Sequence, residues 1–286
     1  MNERATRVEY LPIDRLHPFE DHPFQVKDDD QMEQLVWSIL SQGVMTPIIV
    51  RPLENNEYEV ISGHRRVHAC RKAGIDTIPA LIYALDRDAA AIALVDSNLH
   101  RNHILPSEKA FAYKMKLEAM NRRGQRTDLT SSQLATKLDT AAEIGRQQGE
   151  SRDKVYRYIR LTYLIPEILT KVDNGEIAMS PAVEISYLTE AEQYILLDAM
   201  EQNDCTPSHA QAIRMKKLSQ QRQLPEDMIY TIMEEEKPNQ KEQIRLRREG
   251  FRKYFPPGYP EAKIKQDIEK ALELLLRQRQ RSRDAR

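Results

Sequence analysis

A chain of 286 residues is long for one compact domain, and 40% hydrophobic with 30% charged residues suits two or three modest, largely helical cores in water. No run reaches the ~18 apolar residues of a membrane span, the opening MNERATRVEY has no apolar signal region, and the two distant cysteines, Cys70 and Cys205, read as reduced thiols. The expectation is a cytoplasmic protein with no membrane partner. The net charge of −1 hides a block pattern: residues 1–98 carry 10 Lys+Arg against 16 Asp+Glu, 99–163 carry 13 against 7, 164–236 carry 5 against 14, and 237–286 carry 15 against 7. Basic blocks set between acidic ones suit local contact with a polyanion.

Taken in chain order, VEYLPI, PIIVR (47–51), YEVIS (58–62) and IPALIYA (78–84) read as strands, rich in β-branched residues. DQMEQLVWSILSQG reads as a helix with Met32, Leu35, Val36, Ile39 and Leu40 on one face and Gly43 as its stop. RRVHACRKAG is a second helix, with Val67, Cys70 and Ala73 inward and Gly74 ending it. From residue 86 onward the pattern is helical. Residues 107–121 repeat Ala110, Tyr113, Leu117 and Met120 along one side, and NRRGQRTD (121–128) reads as a basic turn that breaks this helix. TSSQLATKL and SRDKVYRYIRL follow as short helices, with DTAAEIGRQQGE (139–150) an insertion between them. Pro166, Gly175 and Pro181 punctuate three more helices, residues 234–250 read as a linker or weak helix, and 261–280 as a final amphipathic helix before a basic tail. The fold class is therefore α+β: a small α/β domain at 1–105, an all-α domain at 106–233, and a linker with a C-terminal helix at 234–286 that can pair with a second copy.

Two constellations carry chemistry. At SGHRRVHA a strand passes through Gly63 into a helix, so outward-pointing amides and the positive end of the helix dipole meet His64, Arg65 and Arg66, a phosphate-binding pattern. Asn98 and Arg101, three apart in DSNLHRNHILPSE, add an amide oxygen and a guanidinium, which together could hold a metal and a phosphate. The plainer alternative is surface arginines behind a capping glycine. His64 with His68, and His100 with His103, have ligand spacing but lack a matching cysteine or carboxylate, so polar surface histidines are the simpler reading. The second constellation is a helix-turn-helix. Val155, Tyr158 and Ile159 fall on one face of SRDKVYRYIRL, while Asp153, Tyr156, Arg157 and Arg160 fall opposite with Arg152 and Lys154 on the flanks. Thr130, Ser131 and Gln133 at the start of the first helix, Ser151 at the start of the second, and Arg122, Arg123 and Arg126 in the basic turn complete the DNA-facing set. Against this stands an ordinary amphipathic helix with a solvated arginine face, and the insertion, since such turns usually take three or four residues.

The order LPIDRLHPF, SILSQGVMTPIIVRP, YEVISGHRRVHACRKAG, IPALI, NLHRNHILPSEKAFAY and LTSSQLA…SRDKVYRYIRL resembles ParB/Noc-type chromosome and plasmid partition proteins over roughly residues 7–190. FRKYFPPGYPEAKIKQDIEKALELLLRQ resembles, more loosely, tails of ParB-like proteins from mobile elements. The resemblance implies a ParB/sulfiredoxin-like N-terminal domain, a helix-turn-helix domain reading a palindromic site on double-stranded DNA, and a homodimer clamp closed by CTP with Mg2+. It also implies a nucleoid- or plasmid-associated location and makes a ParA-type ATPase a candidate partner. Carried over by position, Thr46 lies near the cytosine, Gly63, His64, Arg65 and Arg66 at the triphosphate, and Asn98 and Arg101 at metal and phosphate. His64 and Ser97 stand where the family usually has glutamates, which favours CTP binding over hydrolysis and leaves the chain at most a weak CTP hydrolase.

Two competing functions remain open at this point. One is a DNA-binding transcriptional regulator whose N-terminal domain has lost its nucleotide. The other is a nucleotide-dependent enzyme on the same domain, with Asp96 or Glu108 as its acid or base.

Overall fold

The computed structural model describes residues 7–101, 103–127 and 133–235, together with 263, 267, 270 and 271; the side chains of 125–139 lie outside the description. Residues up to Glu235 form one compact unit and Glu236–Arg286 a second. In the second, Lys263, Asp267, Lys270 and Ala271 are helical, while the remaining residues expected at the C-terminus lie outside the described set.

The first unit opens with a five-stranded sheet. β1 (Val8–Pro12), β2 (Leu16–Pro18), β3 (Ile48–Pro52), β4 (Tyr58–Ser62) and β5 (Thr77–Ile82) lie in the order β1-β5-β3-β4-β2. The β1/β5 and β3/β4 pairs are antiparallel, β3/β5 and β2/β4 parallel, and the β3/β4 register shifts between Ile49 and Val50. α1 (Asp30–Gln42) and α2 (His64–Lys72) cover one face, burying Met32, Ile39, Val67 and Cys70 against Ile48, Val50 and Ile78. Asp29 caps α1 by accepting from the Met32 amide at 2.9 Å. Leu40, expected on the inner face of α1, is exposed, because the buried stripe runs through Met32 and Ile39 and leaves Trp37 and Leu40 outside it.

α3 (Arg87–Asn98) and α4 (Pro106–Thr127) lead into the helical region. α4 does not break at residue 121; its helix runs through Gly124 to Thr127. α5 (Gln133–Gln147) likewise absorbs most of the expected insertion, and only 148–151 connect it to α6 (Arg152–Arg160). That four-residue connection needs two glycines. Gly149 has φ +65°, and a Cβ on Gly145 would stand 2.5 Å from the backbone oxygen of Glu150. A second core joins Ile61 of the sheet with Leu94, Val95, Tyr113, Ile144 and Val155, so α3, α4, α5 and α6 share one apolar interior with the strands.

Beyond α6 lie α7 (Pro166–Asp173), α8 (Met179–Ile185), α9 (Glu190–Gln202), α10 (His209–Gln220) and α11 (Glu226–Glu234), packed round Ile168, Ile185, Leu196, Met215 and Ile229. No helix among the described residues is long and apolar enough to cross a membrane. Gly145→Ala must push the α6 N-terminus away from α5, and the expected cost is about 1–3 kcal/mol, read as a lowered urea midpoint with unchanged helix content.

Candidate functional site: an arginine cleft and an exposed basic helix

The β4–α2 junction is built around Gly63, whose φ of +105° and close contacts leave no room for a side chain: an added Cβ would lie 2.6 Å from Cγ2 of Ile48. That tight turn sets three consecutive side chains in different directions. Arg66 folds inward and donates from Nη1 to the carbonyl of Thr46 and, at 2.6 Å, to that of Pro47. Burial holds its guanidinium below the usual arginine range. Arg65 points outward and reaches Oδ1 of Asp29 at 3.2 Å. His64 turns toward the loop after β2, where its ring stacks on His22 with centroids 3.8 Å apart.

Arg65 and Arg101 line a cleft of about 930 Å³ together with Lys27, Asp29, Glu108 and Asp173. Its size falls within the ~300–1,000 Å³ range of small-molecule sites. Arg101 lies 5.5 Å from the Phe24 ring centroid, and burial lowers its pKa. The Asp29 carboxylate is the anionic partner that Arg65 has in this structure. Asn98 is buried at the end of α3; its amide nitrogen donates to the Leu94 carbonyl at 2.8 Å, and its own carbonyl accepts from the Arg101 amide. Thus Arg65 and Arg101 come together at the cleft and His64 packs on His22 outside its lining, while Thr46, Gly63 and Arg66 form a separate structural knot and Asn98 is turned into the helix.

Neither carboxylate considered as an acid or base stands free. Asp96 pairs with the buried Lys116, and Glu108 accepts from the backbone of Gln25 at 2.9 Å and of Leu105 at 3.1 Å. Among the described residues no group of three or more His, Cys, Asp or Glu could hold a metal. His68 bonds Asp28 at 2.9 Å instead of pairing with His64, whose half-buried ring packs on His22 with its Nε2 out of solvent. The donor set therefore does not make a magnesium site of its own, since Asn98 offers at most a neutral oxygen.

On α6, Val155 is fully buried, and Ser151 caps the helix by accepting from the Lys154 amide at 3.2 Å. Arg152, Lys154 and Arg157 are exposed on its outer side. They bond locally: Arg152 to Asp153 at 3.0 Å, Lys154 to Glu150 at 2.9 Å, and Arg157 to Ser180 at 2.9 Å. Two residues expected outward are not. Tyr156 packs partly buried against the shared core, and Arg160 folds back to Ser186, its guanidinium 4.3 Å from the Tyr163 ring and 3.9 Å from that of Tyr187. At the last turn of a nine-residue helix, two aromatic faces hold an arginine better than water does. Arg122 pairs with Asp88 at 2.8 Å, tying α4 to α3. Arg123 lies exposed on α4, whereas the side chains of Arg126 and Gln133, and Thr130 and Ser131 entirely, lie outside the described residues.

Sequence reading missed His22, Lys27 and Asp29, all in the polar loop HPFQVKDDD; the one usable signal was an aspartate directly ahead of an apolar-periodic helix, which marks a cap. The two arginines also separate in stability. Arg66→Ala strips the donors from two carbonyls and should cost roughly 1–3 kcal/mol, whereas Arg65→Ala removes a partly exposed pair and should cost about 0–1 kcal/mol, both measurable by urea denaturation.

A family model described as the ParB N-terminal domain matches residues 1–99. The chain is 33% identical over 199 residues to a probable chromosome-partitioning protein ParB of Pseudomonas putida, covering 68% of this chain and 62% of that protein. It is also 33% identical over 205 residues to the nucleoid occlusion protein of Listeria innocua, covering 71% and 66%. The match thus spans less than two thirds of the length of either relative. Among solved structures, C-terminally truncated ParB from Caulobacter crescentus complexed to the centromeric parS site covers 74% of this chain and 99% of that one at 23% identity and TM-score 0.41. The same protein complexed with CTP-gamma-S covers 68% and 99% at 27% identity and TM-score 0.32. With a ParB N-terminal domain at residues 1–99 and relatives of both kinds aligned well beyond it, the chain belongs to the ParB/Noc family.

Proposed function

We propose that this protein is a DNA-binding partition factor of the ParB/Noc type whose grip on DNA responds to CTP, acting as a homodimer in the segregation or maintenance of a chromosome, plasmid or integrative element. The observation that carries this reading is the course of α4. Its first turn lines the arginine cleft through Pro106 and Glu108, and its first two turns also hold the connection that launches the exposed basic helix, through Lys109 and Tyr113 on Glu150, each at 2.8 Å. A ligand that moves the start of α4 therefore acts on the helix that would enter a DNA groove.

In this reading Arg65 and Arg101 take the phosphates, Thr46 lies toward the base, and Asn98 sets Arg101 through its backbone. The helix-turn-helix consists of the second half of α5, residues 148–151 and α6, with Arg152, Lys154 and Arg157 toward DNA. The domain assignment follows the same division: a nucleotide-binding part to residue 105, a DNA-binding part to 233, and a dimerising C-terminus. CTP enters from the family resemblance and from the two cationic side chains in a cleft of fitting size. With Asp96 and Glu108 both engaged, neither of the two carboxylates considered is free to activate water, which favours binding over hydrolysis.

A second reading, a DNA-binding regulator without a nucleotide, is favoured by the commitment of Arg66 to backbone carbonyls. Calorimetric titration of CTP, with ATP as control, decides between them. Selective CTP binding lost by more than tenfold in Arg101→Ala supports the switch, and heat from neither nucleotide leaves the regulator. Asp29→Asn removes the carboxylate that competes for Arg65 and should strengthen CTP binding about two- to fivefold. On the DNA side, fluorescence anisotropy with a duplex across a salt series should show the slope of log affinity against log salt falling by about one in Arg157→Ala. Arg160→Ala should instead lower stability through the lost aromatic and Ser186 contacts.

A further inference from the structure

The chain from Phe24 to Asp29 runs along the arginine cleft with a two-residue alternation. Gln25, Lys27 and Asp29 line the cleft. Phe24 is buried in the core shared by α3 and α4, and Val26 packs on the core beneath the sheet. Asp28 turns to α2, where it bonds His68 and Lys72, each at 2.9 Å. This is the pattern of an extended strap, whose successive side chains point to opposite sides. Both ends of the strap are tied. The Gln25 amide donates to Glu108 of α4 at 2.9 Å, and Asp29 accepts from the Met32 amide at 2.9 Å and from Arg65 at 3.2 Å. Lys27 is the central residue, two positions or about 6–7 Å of extended chain from each tie.

The acidic groups of the cleft are committed, and its central cation is not. Glu108 accepts from the amides of Gln25 and Leu105, Asp173 from the amide and hydroxyl of Ser107, and Asp29 from Met32 and Arg65. Lys27 is exposed, and among the described residues its ammonium has no hydrogen bond or ion pair. An unpaired ammonium is ordinary on an open surface, where water solvates it. This one lines a concave site together with Arg65 and Arg101. Three like charges around one cleft repel one another until an anion enters.

Resting on the reading of the cleft as a nucleotide site, we propose that Lys27 is a third phosphate-binding residue, the one that favours a long phosphate chain over a short one. One or two guanidinium groups satisfy a single phosphate through paired N–H donors. A lysine adds a point charge on a flexible four-carbon stem, free to follow whichever phosphate lies over the strap. Its attraction scales with the charge of the ligand, so its removal costs a triphosphate more than a monophosphate.

The test is calorimetric titration of the full chain, in magnesium buffer, with CTP, with CMP and with inorganic tripolyphosphate. CMP is followed by displacement of CTP, so that a weak ligand still gives a constant. Lys27→Gln removes the charge and Lys27→Arg keeps it; unchanged urea midpoints show that both variants fold. Lys27→Gln should weaken CTP and tripolyphosphate about tenfold and CMP only about two- to threefold. Lys27→Arg should stay within about threefold of the unsubstituted protein for all three. Equal losses for CTP and CMP, or tripolyphosphate binding untouched by Lys27→Gln, overturn the role of Lys27 while leaving the nucleotide site intact. Failure of the unsubstituted protein to bind either CTP or tripolyphosphate overturns both.

Discussion

The fold depends on how it accommodates a lysine in its interior. The Lys116 side chain is 1% exposed at the place where three helices meet, and a buried ammonium is tolerable only with partners. Asp96 of α3 and Gln147 at the end of α5 supply them. Lys116 is the third member of a polar row on α4 with Lys109 and Tyr113, spaced so that all three fall along one side. The first two hold Glu150, which also takes Lys154. Burial by itself would raise the Glu150 pKa, but bonds from Lys109, Lys154 and Tyr113 outweigh it and keep the carboxyl below its usual range. Burial, followed by the bond to Glu150, pushes the Tyr113 phenol far up, so it stays a donor. Each bond fixes distance and direction between α4 and a neighbour in a way apolar packing alone does not.

That row accounts for the roles of several other groups. Asp96, the nearest carboxylate to Ser97, is spent on Lys116 and faces α4, away from the arginine cleft. The α5–α6 connection can be short because Glu150 is held from beneath while Gly145 lets backbone approach backbone. The exposed cations of α6 are therefore presented on a helix whose start is fixed by charge-assisted bonds and whose middle is fixed by Val155 in the shared core. Binding residues placed this way lose little freedom on meeting a partner.

Much of this organisation was legible in the sequence because it follows periodicity. Four strands and the helices at 30–42, 64–72 and 152–160 follow from alternation, apolar spacing and glycine stops. What escaped was set by contacts distant in sequence. β2 is three residues long and exists because β4 pairs with it. Gly124 did not stop α4, and the supposed insertion became the end of α5; a lone glycine within helix costs only ~1 kcal/mol, less than the packing of Ala141 and Ile144 returns. Arg65 and Arg66 look equivalent in sequence, yet one helix position separates a cleft-lining side chain from one bound to the Thr46 and Pro47 carbonyls. Arg160 was lost from the outward set because Tyr163 and Tyr187 reach it from other elements. His22 carried no signal at all, for nothing local announces a ring that stacks on another more than forty positions away.

On the proposed reading, the cleft is a binding site that one of its own groups opposes. Arg65 is paired with Asp29, so an anion reaching for that guanidinium would first displace a carboxylate. That opposition is small: a partly exposed ion pair is worth about 0–1 kcal/mol. Small, reversible costs suit a site meant to empty again. On that reading a triphosphate, with its high charge, would displace the carboxylate more readily than a single phosphate or a neutral nucleoside. Discrimination by total charge would then follow from placing one aspartate beside two arginines, before any contact to the base is counted.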